Sequence, residues 1–142
     1  MTEKTLTVEA VIENLGIIID FVETEAISAG IPPEKAAGVP LAIEEAFVNI
    51  CSYAYKGGTG DVTVSCEAGT DALAMEISDM GTAFDILSIP DPDTSADIDE
   101  REIGGLGVFF IRRFTDDVSY RREEGRNILR LVFRLASNQG DI

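Results

Sequence analysis

The sequence predicts an α+β two-layer sandwich, with three main helices on one face of a mixed, mostly antiparallel sheet. Two long stretches carry apolar residues at helical spacing, after a short alternating run at the start. Two pairs of alternating runs, each joined by turn residues, read as hairpins. The resulting order, β-α-α-β-β-loop-α-β-β, groups strands with strands. That grouping lays the helices over one face of a sheet built from hairpins.

Each element follows from its residues. Thr5-Leu6-Thr7-Val8 alternates and makes the first strand. Val11, Leu15, Ile18, Ile19 and Val22 then recur at helical spacing to about Ala29, and Gly30 is placed to end that helix. Pro32-Pro33-Glu34 opens a second helix that runs to about Tyr55, with a kink or a fresh start expected at Pro40. After the turn Gly57-Gly58-Thr59-Gly60, Asp61–Glu67 and Leu73–Ser78 form a hairpin across Ala68-Gly69-Thr70-Asp71. From Asp79 to Gly107 the periodicity is lost, and a loop this long in a compact domain is either functional or disordered. A helix follows from about Val108 to Phe114. The last strands, Asp117–Arg122 and Asn127–Leu135, flank a turn at Glu123-Glu124-Gly125. With no repeat or linker, one domain over residues 1–135 is expected, and 136–142 reads as a frayed C-terminal tail.

Composition removes whole classes of function. The 142 residues hold no histidine, so no Ser-His-Asp triad, histidine metal site or phospho-accepting histidine exists within the chain. A net charge of −15 repels the phosphate backbone and argues against direct nucleic-acid binding, while it suits a protein partner with basic patches. Cys51 and Cys66 form no CxxC pair and read as buried free thiols. No apolar run approaches the ~18–20 residues that span a bilayer. Met1-Thr2-Glu3-Lys4 lacks the basic and apolar regions of a secretory signal, so a cytoplasmic protein without a membrane partner is expected.

Three motifs can carry chemistry. Glu45 and Asn49 lie four residues apart, on one face of the second helix, about 6 Å apart along its axis. A carboxylate there can orient a nucleophile or take its proton, and an amide oxygen is a hard ligand that suits Mg²⁺. The same spacing also fits a solvated polar stripe. Asp79-Met80-Gly81-Thr82-Ala83-Phe84-Asp85 directly follows a strand. Its first aspartate can accept a hydrogen bond from an exocyclic amine, and Gly81 lets the backbone approach a flat ring, although Asp and Gly also build ordinary turns. Gly104-Gly105-Leu106-Gly107 opens a helix, where free N–H groups and the helix dipole favour phosphate. No Gly-Lys-Ser/Thr follows, so it is not a Walker A loop, and no strand precedes it, so it is not a Rossmann loop. Asp91–Glu102 imitates a calcium loop, but Ala96 stands where the sharp turn requires glycine.

In this order and spacing, the three motifs resemble those of the histidine-kinase-like ATPase superfamily, and within it the anti-sigma regulatory factor serine/threonine kinases. Glu45-Ala46-Phe47-Val48-Asn49, with Ala54-Tyr55 beyond, resembles the family's asparagine box. Asp79-x-Gly81-x-x-Phe84-Asp85 resembles its first glycine box, and Gly104-Gly105-Leu106-Gly107 with Ile111-Arg112-Arg113 and Asp116-Asp117 its second. The resemblance implies ATP and Mg²⁺ as cofactors, with Asn49 holding the metal and Glu45 acting as catalytic base. It implies that Asp79, Gly81 and Phe84 bind adenine, that Gly104, Gly105, Leu106 and Gly107 lie at the phosphates, and that residues 86–103 form an ATP lid. Arg101 would reach the γ-phosphate. The implied partners are a small anti-anti-sigma (antagonist) protein as substrate, a sigma factor to sequester, and a second copy in a homodimer. Tyr53 replaces the histidine usual four residues after the asparagine, and Arg130 stands where a threonine that helps hold adenine often lies. Two other readings stay open: a non-catalytic nucleotide-gated binding switch, and the ATPase half of a split sensor histidine kinase. Glu45 argues against the first, since a pure binder needs no base. The missing histidine and dimerisation helices argue against autophosphorylation in the second.

Overall fold

The computed structural model describes residues 2–88 and 106–135. Five strands form one sheet in the order β1-β2-β3-β5-β4, and every neighbouring pair is antiparallel. The strands are β1 (Thr2–Glu9), β2 (Asp61–Ala68), β3 (Ala72–Asp79), β4 (Asp117–Glu123) and β5 (Arg126–Arg134). Three main helices cover one face: α1 (Leu15–Ala29), α3 (Gly38–Tyr53) and α4 (Leu106–Phe114). A single turn of helix, α2 (Pro33–Ala36), links the first two. The expected two-layer sandwich is therefore found, with a sheet that is antiparallel throughout the described strands, not mixed. The expected tail 136–142, the calcium-like stretch and nearly all of the expected lid lie outside the described residues.

The punctuation of the sequence explains the helix boundaries. Gly30 ends α1 in the left-handed conformation, φ 85°, which a glycine adopts without a Cβ penalty. The fresh start expected at Pro40 occurs two residues earlier, at Gly38. Pro40 then sits in the first turn of α3, where its missing N–H has no helical partner to lose. Along α3, Val39, Ala42, Ile43, Ala46, Phe47 and Ile50 are buried, a stripe at three- and four-residue spacing. This stripe makes α3 the central helix, packed between α1 and α4.

The sheet offers the core its alternate residues. Val62, Val64 and Cys66 of β2, Leu73, Met75 and Ile77 of β3, and Leu129, Leu131 and Phe133 of β5 meet Phe47, Ile43, Ile18 and Ile111 from the helices. Burial pushes the Cys66 thiol up to about 12, so it stays a protonated apolar side chain at neutral pH. Among the described residues no helix is long and apolar enough to cross a membrane. One end of the apolar layer, where β3 runs out beside the C-terminal half of α3, is polar, and Asn49 and Asp79 from two of the motifs lie there.

Candidate functional site

A pocket opens between α3 and the sheet. One wall is Ala46, Asn49, Ile50 and Tyr53 of α3, with Ala54 just beyond; the other is Ile77, Asp79, Thr82, Phe84, Ile86, Tyr120, Asn127 and Leu129. Asn49 and Asp79, separated by thirty residues in sequence, thus line one cavity. Glu45 lies one helical turn before Asn49 and is half-buried. Burial pushes its carboxyl above the ordinary range, and the neighbouring Glu44 carboxylate adds to the rise.

The geometry around Asp79 is tightly specified. Asp79 ends β3 with only 4% of its surface exposed. Its Oδ1 accepts from the Gly81 N–H at 2.8 Å and from Asn127 Nδ2 at 2.9 Å. Asn127 Nδ2 also donates to the Thr82 carbonyl at 2.9 Å, while its Oδ1 accepts from the Phe84 N–H at 3.1 Å and from the Tyr120 hydroxyl at 2.6 Å. Arg122 donates to the Gly81 carbonyl at 2.9 Å from β4. Among the described residues, Asp79 Oδ2 accepts no hydrogen bond, and Asp79 lines the pocket floor beside Ile50, Ile77 and Leu129. Such a floor matches a flat apolar ring carrying an amine.

Gly81 has a different local reason from the one expected. A Cβ at Gly81 would meet the Ala54 carbonyl oxygen at 2.2 Å. The glycine therefore lets the loop after β3 pass against the C-terminal end of α3, where the Thr82 N–H donates to that same Ala54 carbonyl at 2.9 Å. Tyr55 closes this corner. Its hydroxyl donates to the Asp61 carbonyl at 2.7 Å and accepts from the Met80 N–H at 2.7 Å. Loop, helix end and β2 are tied together by these three contacts.

The remaining sequence candidates fall in different places. Phe84 lines the pocket and is partly exposed at its mouth. Tyr53 also lines it. Leu106 and Gly107 lie in the first turn of α4, while Arg101, Gly104 and Gly105 lie outside the described residues. Of the expected lid, Ile86–Ser88 forms a short 3-10 turn whose Ile86 packs into the pocket wall, and Arg112 of α4 donates to the Leu87 carbonyl. Arg130 does not reach the pocket. It points to the open face of the sheet and pairs with Glu76 at 3.2 Å. The side chain that β5 sends to Asp79 is Asn127, which the sequence reading missed. The alternation Leu129, Leu131, Phe133 carried the signal, because extending it backwards by two puts residue 127 on the core face and residue 130 on the other.

An amide oxygen at Asn49 suits a hard cation. Among the described residues no group of three or more His, Cys, Asp or Glu gathers to hold a metal.

The chain is similar to known proteins. The model of the histidine kinase-like ATPase domain family matches residues 8–133. A protein of Listeria monocytogenes serovar 1/2a named serine-protein kinase RsbW is 34% identical over 109 residues, covering 73% of this chain and 69% of that protein. A Bacillus cereus protein of the same name is 30% identical over 93 residues, covering 63% of this chain and 58% of its own length. In fold, the chain resembles a crystal structure of RsbU and RsbW domains from Mycobacterium tuberculosis, with a TM-score of 0.66 at 16% identity. That likeness covers 96% of this chain and 33% of the other. The matched span takes in β2, β3, β4, nearly all of β5, the α3 face bearing Asn49 and the loop after Asp79, and the chain belongs to the histidine kinase-like ATPase domain family.

Proposed function

We propose that this chain is an ATP-dependent serine/threonine protein kinase of the anti-sigma-factor type. It transfers the γ-phosphoryl group of ATP to a hydroxyl of a small antagonist protein, and it sequesters a sigma factor in the cytoplasm. The observation that carries the reading is the meeting of Asp79 and Asn49 in one pocket, with Glu45 one turn away on the same helix. The relatives named as serine-protein kinases support it.

Each residue has a chemical task in this reading. Asp79 Oδ2 accepts the adenine amine, and Ile50, Ile77 and Leu129 pack against the ring. Asn49 holds Mg²⁺, which neutralises charge on the phosphates when bound. Glu45 accepts the proton of the attacking serine or threonine hydroxyl. Its raised pKa makes it a stronger base than an exposed glutamate. The rate therefore falls as pH drops into a range above that of an ordinary glutamate, and Glu44→Gln shifts that fall to lower pH. Gly104, Gly105, Leu106 and Gly107 bring backbone N–H groups to the phosphates, Arg101 approaches the γ-phosphate, and residues 86–103 close over it. The domain spans 1–135, and the same family resemblance implies a homodimer.

The test is transfer of phosphate to the antagonist protein, followed by mass. Glu45→Gln keeps ATP affinity but transfers about 10²–10⁴-fold more slowly, the usual worth of a positioned base. Asn49→Ala loses both Mg-ATP binding and transfer. Transfer by Glu45→Gln at the wild-type rate would remove the base assignment. Tight ATP binding with no phosphoserine or phosphothreonine on any antagonist would leave a nucleotide-gated switch instead.

A further inference from the structure

Asn127 is 7% exposed and sits among apolar neighbours, with Leu129 and Leu131 following it on the core face of β5. A buried amide at such a position is costly unless all its hydrogen bonds are made. Here they are. Both Nδ2 protons are given, to Asp79 Oδ1 and to the Thr82 carbonyl, and Oδ1 accepts from the Phe84 N–H and the Tyr120 hydroxyl. Only one orientation of the amide satisfies this set. Turned over, its oxygen would face the Asp79 carboxylate and the Thr82 carbonyl, and its NH₂ would face the Phe84 N–H.

Three of these four partners lie within Asp79–Phe84, the segment that forms one wall of the pocket. The fourth, Tyr120, comes from β4 and fixes the amide from outside that segment. We infer that Asn127 is the positioning residue for recognition of the base: it occupies Asp79 Oδ1, leaving Oδ2 to read an exocyclic amine, and it sets the wall segment at a fixed distance from that carboxylate. This rests on the nucleotide reading of the pocket and goes past it. The affinity for the amine then depends on a side chain that does not itself meet the amine. A hydroxyl in place of Asn127 could bond Asp79, yet it could not also hold both Thr82 and Phe84.

The experiment compares binding of ATP with binding of purine riboside triphosphate, which lacks the 6-amino group, to the wild type and to Asp79→Asn, Asn127→Leu, Asn127→Thr and Tyr120→Phe. Thermal unfolding reports folding of each variant, and amide exchange at Phe84 is read without nucleotide. The wild type prefers ATP by roughly 10–100-fold, the worth of a hydrogen bond to a charged group. Asp79→Asn and Asn127→Leu both collapse that preference, and Asn127→Leu also speeds exchange at Phe84. Asn127→Thr restores part of the preference without restoring protection at Phe84. Tyr120→Phe, which removes one hydroxyl and keeps the ring, lowers the preference by a few-fold and carries the test if Asn127→Leu does not fold. Equal weakening of both nucleotides by Asn127→Leu, with the preference kept, would overturn the inference and leave Asn127 a packing residue. A kept preference in both Asn127→Leu and Tyr120→Phe would do the same. A wild type that binds both nucleotides equally, or neither, would instead overturn the reading of Asp79 as the base-recognising group.

Discussion

Asp79 and Glu76 stand three residues apart on β3, on opposite faces of the same sheet. Glu76 lies on the open face and accepts from Arg121 at 3.0 Å and from Arg130 at 3.2 Å. Asp79 lies on the helix-covered face, and its hydrogen-bond partners among the described residues are neutral: one backbone N–H and one amide. An exposed carboxylate gains little from a partner because water screens the pair. A buried carboxylate held by neutral donors keeps its charge available for a ligand, in a setting where a hydrogen bond to it is worth more. The two faces of one strand thus divide the labour. The open face pairs its carboxylate with two arginines, and the covered face gives its carboxylate neutral partners.

The largest expected effect sharpens this division. Asp79→Asn keeps the size of the side chain and removes the charge, and ATP binding should weaken by about 1–3 kcal/mol. Calorimetry on the folded variant reads it directly. Unchanged affinity would mean that the Asp79 carboxyl group is not used for the nucleotide, and the contrast between the faces would lose its functional meaning.

Gly81→Ala probes the wall of the same pocket through sterics. The added Cβ lands against the backbone carbonyl of Ala54, which cannot rotate away as a side-chain tip can. The loop after β3 must then shift from the end of α3, with a loss of stability towards the upper end of the ~1–3 kcal/mol typical of overpacking. Urea unfolding measures it. The shift also pulls on the Thr82 hydrogen bond to Ala54, so ATP affinity should fall together with stability. A variant with full stability would show that the loop is slack there, and that Asp79 is positioned from β5 alone.

The sequence made some of this site legible and hid the rest for a physical reason. Helix ends at Gly30 and Pro33, the hairpin over residues 61–79 and the four-residue spacing of Glu45 and Asn49 are local signals, readable within a few residues of chain. The contacts that finish the site are not local. Asn127 meets Asp79, Thr82 and Phe84 across 43–48 residues, and Tyr55 meets Met80 across 25. Spacing says nothing of such pairs; only the sheet register brings them together. That register is also why Arg130 lies away from the pocket. Counting along β5 by twos from Phe133 reaches residue 127, and a slip of one residue changes the face. Gly81 was legible as a residue that must be glycine, while its reason, the Ala54 carbonyl, belongs to a helix 27 residues upstream.

The smallest expected effect tests the open face. Burial pushes the Glu76 carboxyl up, but the hydrogen bonds and charges of Arg121 and Arg130 outweigh it and hold the carboxyl below its usual range. A carboxylate with a lowered pKa in the folded state stabilises above its unfolded pKa, about 4.3, and that stability is lost as pH falls through the folded value. Glu76→Gln should therefore cost only ~0–1 kcal/mol at pH 7, and the difference from the wild type should vanish in acid below the folded pKa. High salt should shrink it too, because the three side chains are partly exposed. Urea unfolding of both proteins at neutral and acid pH, with and without ~1 M salt, separates these outcomes. A loss well above 1 kcal/mol that survives high salt would make the open-face cluster a buried network in its own right. The two faces of β3 would then obey the same rules, and the charge on Asp79 would no longer stand out as the one kept for a ligand.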